Sequence, residues 1–148
     1  MTGWKEFAQQ APEIAAFGQA RFASGVAYLG TAQADGSPRV HPVTPIIGEH
    51  LFVFMEPSSP KGKDLQADAR YTLHCSVADS SGGEGEFYVS GRATRTDDPH
   101  RREQAAQAAS YRPKDRYLLF VLTVESAFMK TYAGASPVIR RWQATTTP

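Results

Sequence analysis

In the first 24 positions the large apolar residues Trp4, Phe7, Ile14, Phe17 and Phe22 fall at irregular but roughly helical intervals among Ala, Gln and Glu. Pro12 suits a first-turn position, so this stretch reads as two short helices. From Gly25 the pattern becomes extended. Val26 to Ala32 is partly β-branched, and Ala34-Asp35-Gly36-Ser37 carries the Asp-Gly signal of a tight hairpin. The returning strand, Pro38 to Ile47, contains Pro42 and Pro45. Proline donates nothing to a ladder, so each must sit at a bulge, an edge or a ligand. After the turn Gly48-Glu49-His50, the run Leu51-Phe52-Val53-Phe54-Met55 is apolar on both faces, as expected of a strand covered from both sides.

Past the loop Glu56 to Pro60, Lys61 to Ala67 reads as a short helix closed at Asp68, followed by a strand from Tyr71 to Val77. Asp79 to Gly85 is a Gly/Ser-rich connection, and Glu86 to Thr96 alternates cleanly as a strand with one polar face. Asp97-Asp98-Pro99 caps a helix reaching about Ser110. Tyr117 to Val124 is a second doubly apolar strand, and Val138 to Gln143 a basic terminal one. The strand-helix rhythm of a doubly wound sheet is missing. The chain therefore reads as one mainly β (α+β) domain over residues 1–148, an antiparallel barrel with peripheral helices. Residues 1–24 form a helical lead, and 144–148 a frayed tail.

A chain of 148 residues is long enough for one real core, with 41% hydrophobic and 21% charged residues. A net charge of +1 argues against a nucleic-acid binder relying on bulk phosphate attraction, so any anion site must be local. The longest apolar run is too short for a membrane span, and no basic patch precedes an apolar stretch at the start. A cytoplasmic protein is the expectation. Cys75, the single cysteine, reads as a small core residue, and the four histidines lack zinc-site spacing, so no metal site is expected.

Two stretches carry candidate chemistry. Ser58-Ser59-Pro60-Lys61-Gly62-Lys63-Asp64-Leu65 gathers two hydroxyls and two ammonium groups where a loop enters a helix, a place suited to a phosphate. It is not a Walker loop, because Pro57 stands where the first glycine belongs and Asp64 follows Gly62-Lys63. The second stretch is Arg39-Val40-His41-Pro42-Val43, whose polar side chains on a barrel strand must face solvent or meet a buried anion or ring.

Together, Asp-Gly-Ser-Pro-Arg-Val-His-Pro-Val, Ser-Ser-Pro-Lys-Gly-Lys-Asp-Leu, Asp-Ala-Arg-Tyr-Thr-Leu-His and Gly-Glu-Phe-Tyr-Val-Ser-Gly-Arg-Ala resemble the pyridoxamine 5′-phosphate oxidase-like split-barrel flavoproteins, over roughly Gly25 to Pro99. The end, Val138-Ile139-Arg140-Arg141-Trp142, is similar to that of many short members. The resemblance implies a six-stranded antiparallel split β-barrel, usually a homodimer, with FMN or the related 8-hydroxy-5-deazaflavin in clefts between subunits. It gives Arg39, Val40, His41, Pro42 and Val43 a ring-side role, gives Ser59, Lys61 and Lys63 the cofactor phosphate, and lets Trp142 reach the cleft from the barrel's end. The implied activity is hydride transfer with a small organic substrate. The alternative is a non-catalytic binder of flavin, haem or another tetrapyrrole in the same cleft. The longer Trp- and Arg-bearing segment of true pyridoxamine phosphate oxidases is not found, and no catalytic side chain is assigned.

Overall fold

The computed structural model describes residues 2–145. Two helices, α1 (Trp4–Gln10) and α2 (Pro12–Phe22), lead into strands β1 (Ala27–Ala32), β2 (Pro38–Val43), β3 (Ile46–Ile47) and β4 (Leu51–Met55). Helix α3 (Pro60–Ala67) precedes β5 (Arg70–Cys75) and the long β6 (Glu86–Thr96), and helix α4 (Pro99–Ala108) precedes β7 (Leu118–Leu122), β8 (Ser126–Ala133) and β9 (Ser136–Gln143). All strand pairs are antiparallel. The sheet runs β2-β1-β5-β6-β7-β4-β3, with β8 on β6 and β9 beyond it, and curls into a half-barrel. The split-barrel expectation holds in architecture, but the described residues form nine strands, where the resemblance implies six and the pattern along the chain seven.

The two strands beyond those seven have separate causes. The strand expected to run unbroken from Pro38 to Ile47 is interrupted at Thr44 and Pro45, where the ladder to β1 stops at Val43 and the ladder to β4 starts at Ile46. Pro38 and Pro42 sit on β2, an edge strand, where a missing donor is tolerated. Strand β8 is the other addition. Its buried residues Ala127 and Met129 alternate with Phe128 and Lys130, so an outward aromatic hides the period of two.

One strand holds the two halves together. Residues 86–90 of β6 pair with β8, while Ala93 to Thr96 pair with β7. At the change of partner lies Gly91, where a Cβ would overlap the Thr123 carbonyl. That carbonyl accepts the Tyr71 hydroxyl at 2.6 Å. The inner face is filled by Leu29, Leu73, Phe87, Val89 and Phe120 and closed by Trp4, Phe7 and Phe22 of the leading helices. The Trp4 and Phe22 rings lie 6.3 and 5.1 Å from Phe87. The doubly apolar β4 is buried at every position. Leu51, Val53 and Met55 join this core, whereas Phe52 and Phe54 join a second cluster with Leu119 and Ala105 of α4, the expected outer cover.

Asp98 caps α4 by accepting from the His100 amide at 3.0 Å, with Pro99 in the first turn. Cys75 is buried, as expected. The expected frayed tail begins differently, because the Ala144 amide donates to the Glu125 carbonyl at 2.8 Å; its remainder from residue 146 lies outside the described residues. No helix among the described residues is long and apolar enough to cross a membrane.

The outer face of β1, β5, β6, β8 and β9 bears a cross-strand row. Tyr28 pairs with His74, His74 with Tyr88, Tyr88 with Phe128, and Phe128 with Arg141. The His74, Tyr88 and Phe128 rings stack at 5.9 and 4.9 Å, and the Arg141 guanidinium lies 5.3 Å from the Phe128 centroid. Hydrogen bonding to Cys75, reinforced by the Glu86 carboxylate 3.2 Å away and opposed by partial burial, raises the His74 imidazole to about 9.

Two outcomes follow from this packing. Gly91→Ala is expected to destabilise the protein by about 2–3 kcal/mol in denaturant unfolding, because the clash is with backbone that cannot step aside. For His74, a folded pKa above the ordinary 6.5 means that its contribution is complete below about pH 6.5 and is lost as pH rises through about 9. The unfolding temperature of the wild type should therefore fall more steeply over that window than that of His74→Gln.

Candidate functional site

The site is built where the edge strand β2 meets the start of α3. On β2, Arg39 and His41 share the side of Val43, while Val40 and Pro42 face the other way, with Val40 65% exposed. The five positions expected to lie along a ring thus divide between two faces. On α3, Gly62, Asp64 and Leu65 turn inward and Lys63 is exposed.

The central feature is a buried carboxylate. Asp64 Oδ2 accepts from Arg39 Nε at 2.8 Å and from the Thr31 hydroxyl at 2.8 Å. Arg39 Nη2 in turn donates to Gln33 Oε1 at 2.7 Å. Asp64 and Thr31 are both buried, so these charge-assisted bonds operate away from bulk water and tie α3 to β1 and β2. Thr31 stands opposite Arg39 in the ladder, so one strand pair supplies both donors.

Beside this knot, Lys61 Nζ donates to Ser59 Oγ at 2.9 Å. Burial pushes the Lys61 ammonium below the usual lysine value, with no carboxylate offsetting the shift. Ser59, itself buried, spends an acceptor lone pair on Lys61 and keeps its own proton to donate. The His41 Nε2 atom is buried and has no hydrogen-bond partner. Burial, together with the Lys61 and Arg39 charges, holds this imidazole below the ordinary histidine value, against the opposing pull of Asp64. At neutral pH it is therefore uncharged, with one ring nitrogen able to meet a ligand.

Arg39, His41, Ser59 and Lys61 are thus brought together, with Lys63 at the exposed edge of the same helix turn. Trp142 is not: it lies on β9, opposite Ala127, with its ring 4.9 Å from Phe7, and β8, β6, β5 and β1 separate it from β2. Thr31, Gln33 and Asp64 are the participants that sequence reasoning missed. The one available signal was an acid next to the apolar Leu65 on a short helix, which is unusual unless the acid is paired.

The sequence profile of the pyridoxamine 5′-phosphate oxidase family matches residues 11–131. The chain belongs to this family. Among curated proteins, none matches it in sequence. Solved structures similar to this family member include a pyridoxamine 5′-phosphate oxidase-related, FMN-binding protein of Nostoc punctiforme, at 16% identity and a TM-score of 0.66, covering 91% of this chain and 92% of that one. A haem-binding protein of Mycobacterium smegmatis is similar at 19% identity and a TM-score of 0.65, over 84% of this chain. The present chain spans only 56% of that protein's length. The haem storage protein of Vibrio cholerae is similar at 18% identity and a TM-score of 0.58, over 78% of this chain and 89% of that one. At such identities the likeness shows the fold.

The knot itself yields an expected outcome. Asp64→Ala leaves Arg39 without its carboxylate and Thr31 without its acceptor, and should cost about 2–4 kcal/mol in chemical unfolding, the lower end reflecting the 30% exposure of the arginine side chain.

Proposed function

We propose that this family member binds FMN at the β2–α3 site, as a homodimer, and serves as a flavin-dependent oxidoreductase acting on a small organic molecule. The observation that carries the reading is the buried, unpartnered Nε2 of His41 beside the desolvated Lys61 and Ser59. The residues fit a phosphate-bearing ring compound. An incoming phosphate would restore to Lys61 the compensation that burial removes, and the Ser59 hydroxyl has a proton to give it. Lys63, at the rim, adds a screened charge. Arg39, held by Asp64 and Gln33, presents a fixed guanidinium rather than a mobile one, so it orders the ring-side strand at little entropic cost. Neutral His41 offers a hydrogen bond to the ring without adding charge.

Bound flavin supplies the hydride chemistry, while the protein positions it and tunes its environment. The deazaflavin shares the phosphate and the tricyclic ring, and the visible spectrum of the loaded protein distinguishes the two. Support for the homodimer comes from the outer face. Tyr28 and Val40 are 45% and 65% exposed beside the stacked row of rings, an apolar surface that a second copy would cover. In such a dimer, Trp142 would have to come from the partner to approach the site.

A non-catalytic binder of flavin or haem is the second reading. The two similar haem proteins favour it, as does the free imidazole nitrogen of His41, a group that can ligate iron. A Soret band on adding haem, with no saturable flavin binding, would select it.

The direct test is a fluorescence titration with FMN. Lys61→Ala combined with Lys63→Ala should weaken binding about 10-fold or more, since each charge-assisted contact contributes on the order of 1.5–3 kcal/mol. Lys61→Ala alone should carry most of the loss, because Lys63 is exposed. Unchanged affinity would place the phosphate elsewhere.

A further inference from the structure

A cleft of about 210 Å³ lies between the end of α2, the break after β2 and the end of α4, away from Lys61 and Ser59. Phe22, Pro45, Ile46 and Ile47 form its apolar wall, the polar groups of Gln19, Thr44 and Ser110 line the rest, and no charged side chain lines it. Four other concave regions of the surface each include at least one ionic side chain. Thr44 and Pro45 belong to neither flanking ladder, so backbone polar groups at the break stand outside the sheet's regular pairing. The lining is thus divided about evenly between apolar and polar surface, and all of its side chains are neutral, so it joins apolar walls to uncharged hydrogen-bonding groups, the two components of a small-molecule site.

We infer that this cleft is a binding site for a small, uncharged, ring-containing organic molecule, and, resting on the function proposed above, that it seats the substrate. Size sets the first limit. An enclosed dry cavity of about 150 Å³ accommodates benzene, so this open cleft has room for a single or fused pair of rings, and any larger molecule would project from its mouth into solvent. Charge sets the second. A carboxylate or ammonium entering among Phe22, Ile46 and Ile47 would lose its hydration with no ionic partner, whereas a neutral hydroxyl or amide can meet Thr44, Ser110 or the open backbone. Position sets the third. The cleft opens at the end of the strand that carries Arg39 and His41, about 16 Å along from Arg39 at the strand rise per residue. A molecule seated there lies at the opposite end of β2 from the anion-binding groups. The mouth is open at Gly25, where a Cβ would meet nothing within 4 Å.

The test is a titration of the purified protein with 2-naphthol and, separately, with 2-naphthoate, followed by NMR shifts of assigned methyl and amide groups. Saturable 2-naphthol shifts are expected at Ile46, Ile47 and Ala108, with a Kd of about 1 mM or tighter, and binding of 2-naphthoate at least about 10-fold weaker. Ala108→Phe, which fills the cleft from the rim, should abolish the shifts. Ala23→Phe, from the opposite wall, should do the same and serves as the second variant if the first lowers the unfolding temperature. Equal binding of the carboxylate, shifts confined to other surfaces, or undiminished binding in both folded variants would overturn the assignment. A parallel FMN titration separates the two readings. Naphthol binding in a protein that does not bind flavin upholds the cleft and removes the proposed cofactor, and flavin binding without naphthol binding removes the cleft alone.

Discussion

The geometry of the site depends on a single strand being shared between two halves of a sheet. β6 carries β5, β1 and β2 on one flank and, past Gly91, β7, β4 and β3 on its other half. Because β4 leads through residues 56–59 into α3, the change of partner at Gly91 bears on where Lys61 stands relative to Arg39. A side chain at residue 91 would contest space with the Thr123 carbonyl, the same atom that receives the Tyr71 hydroxyl. The close approach there is to backbone, which cannot turn aside as a side chain can.

Asp64 converts that placement into a defined site. Its carboxylate is reached by donors from two neighbouring strands and itself belongs to α3, so three elements share one buried acceptor. A buried charge is costly unless its hydrogen bonds are complete, and here the paired arginine is further held by Gln33. Lys61, one turn earlier on the same helix, inherits the rigidity. Asp64 Oδ2, with two donors, holds these elements together, whereas the buried His41 Nε2 has no partner.

Much of this is legible in the residues alone. Asp35-Gly36 marks the hairpin, Leu51 to Met55 shows a strand covered twice, and Asp98-Pro99 announces the start of α4, because each signal is local and has a physical cause within a few residues. The Ser59-Lys61 cluster was legible for the same reason. What stayed hidden was non-local or masked. Asp64 and Arg39 lie 25 residues apart, and nothing in either neighbourhood names the other. Strand β8 presents Phe128 on its outer side, so the alternation that betrays strands is erased by a ring that belongs to a half-buried stack. Trp142 is a matter of topology: the strand order sets it at the opposite margin from β2, packed on Phe7, and no terminal motif encodes that.

The prolines of β2 have a consequence for how molecules of this protein can meet. In an antiparallel ribbon, alternate residues aim their amides to the same side, so Pro38, Val40 and Pro42 share one direction. Since neither proline has an amide hydrogen, bonding toward β1 falls to the intervening residues, and the open margin retains only Val40 as a donor among these three. A foreign strand arriving there would find a template with two of its three teeth missing. Growth by strand addition is blocked along this rim, which steers any pairing of copies toward broad faces and protects the chain from fibrillar stacking.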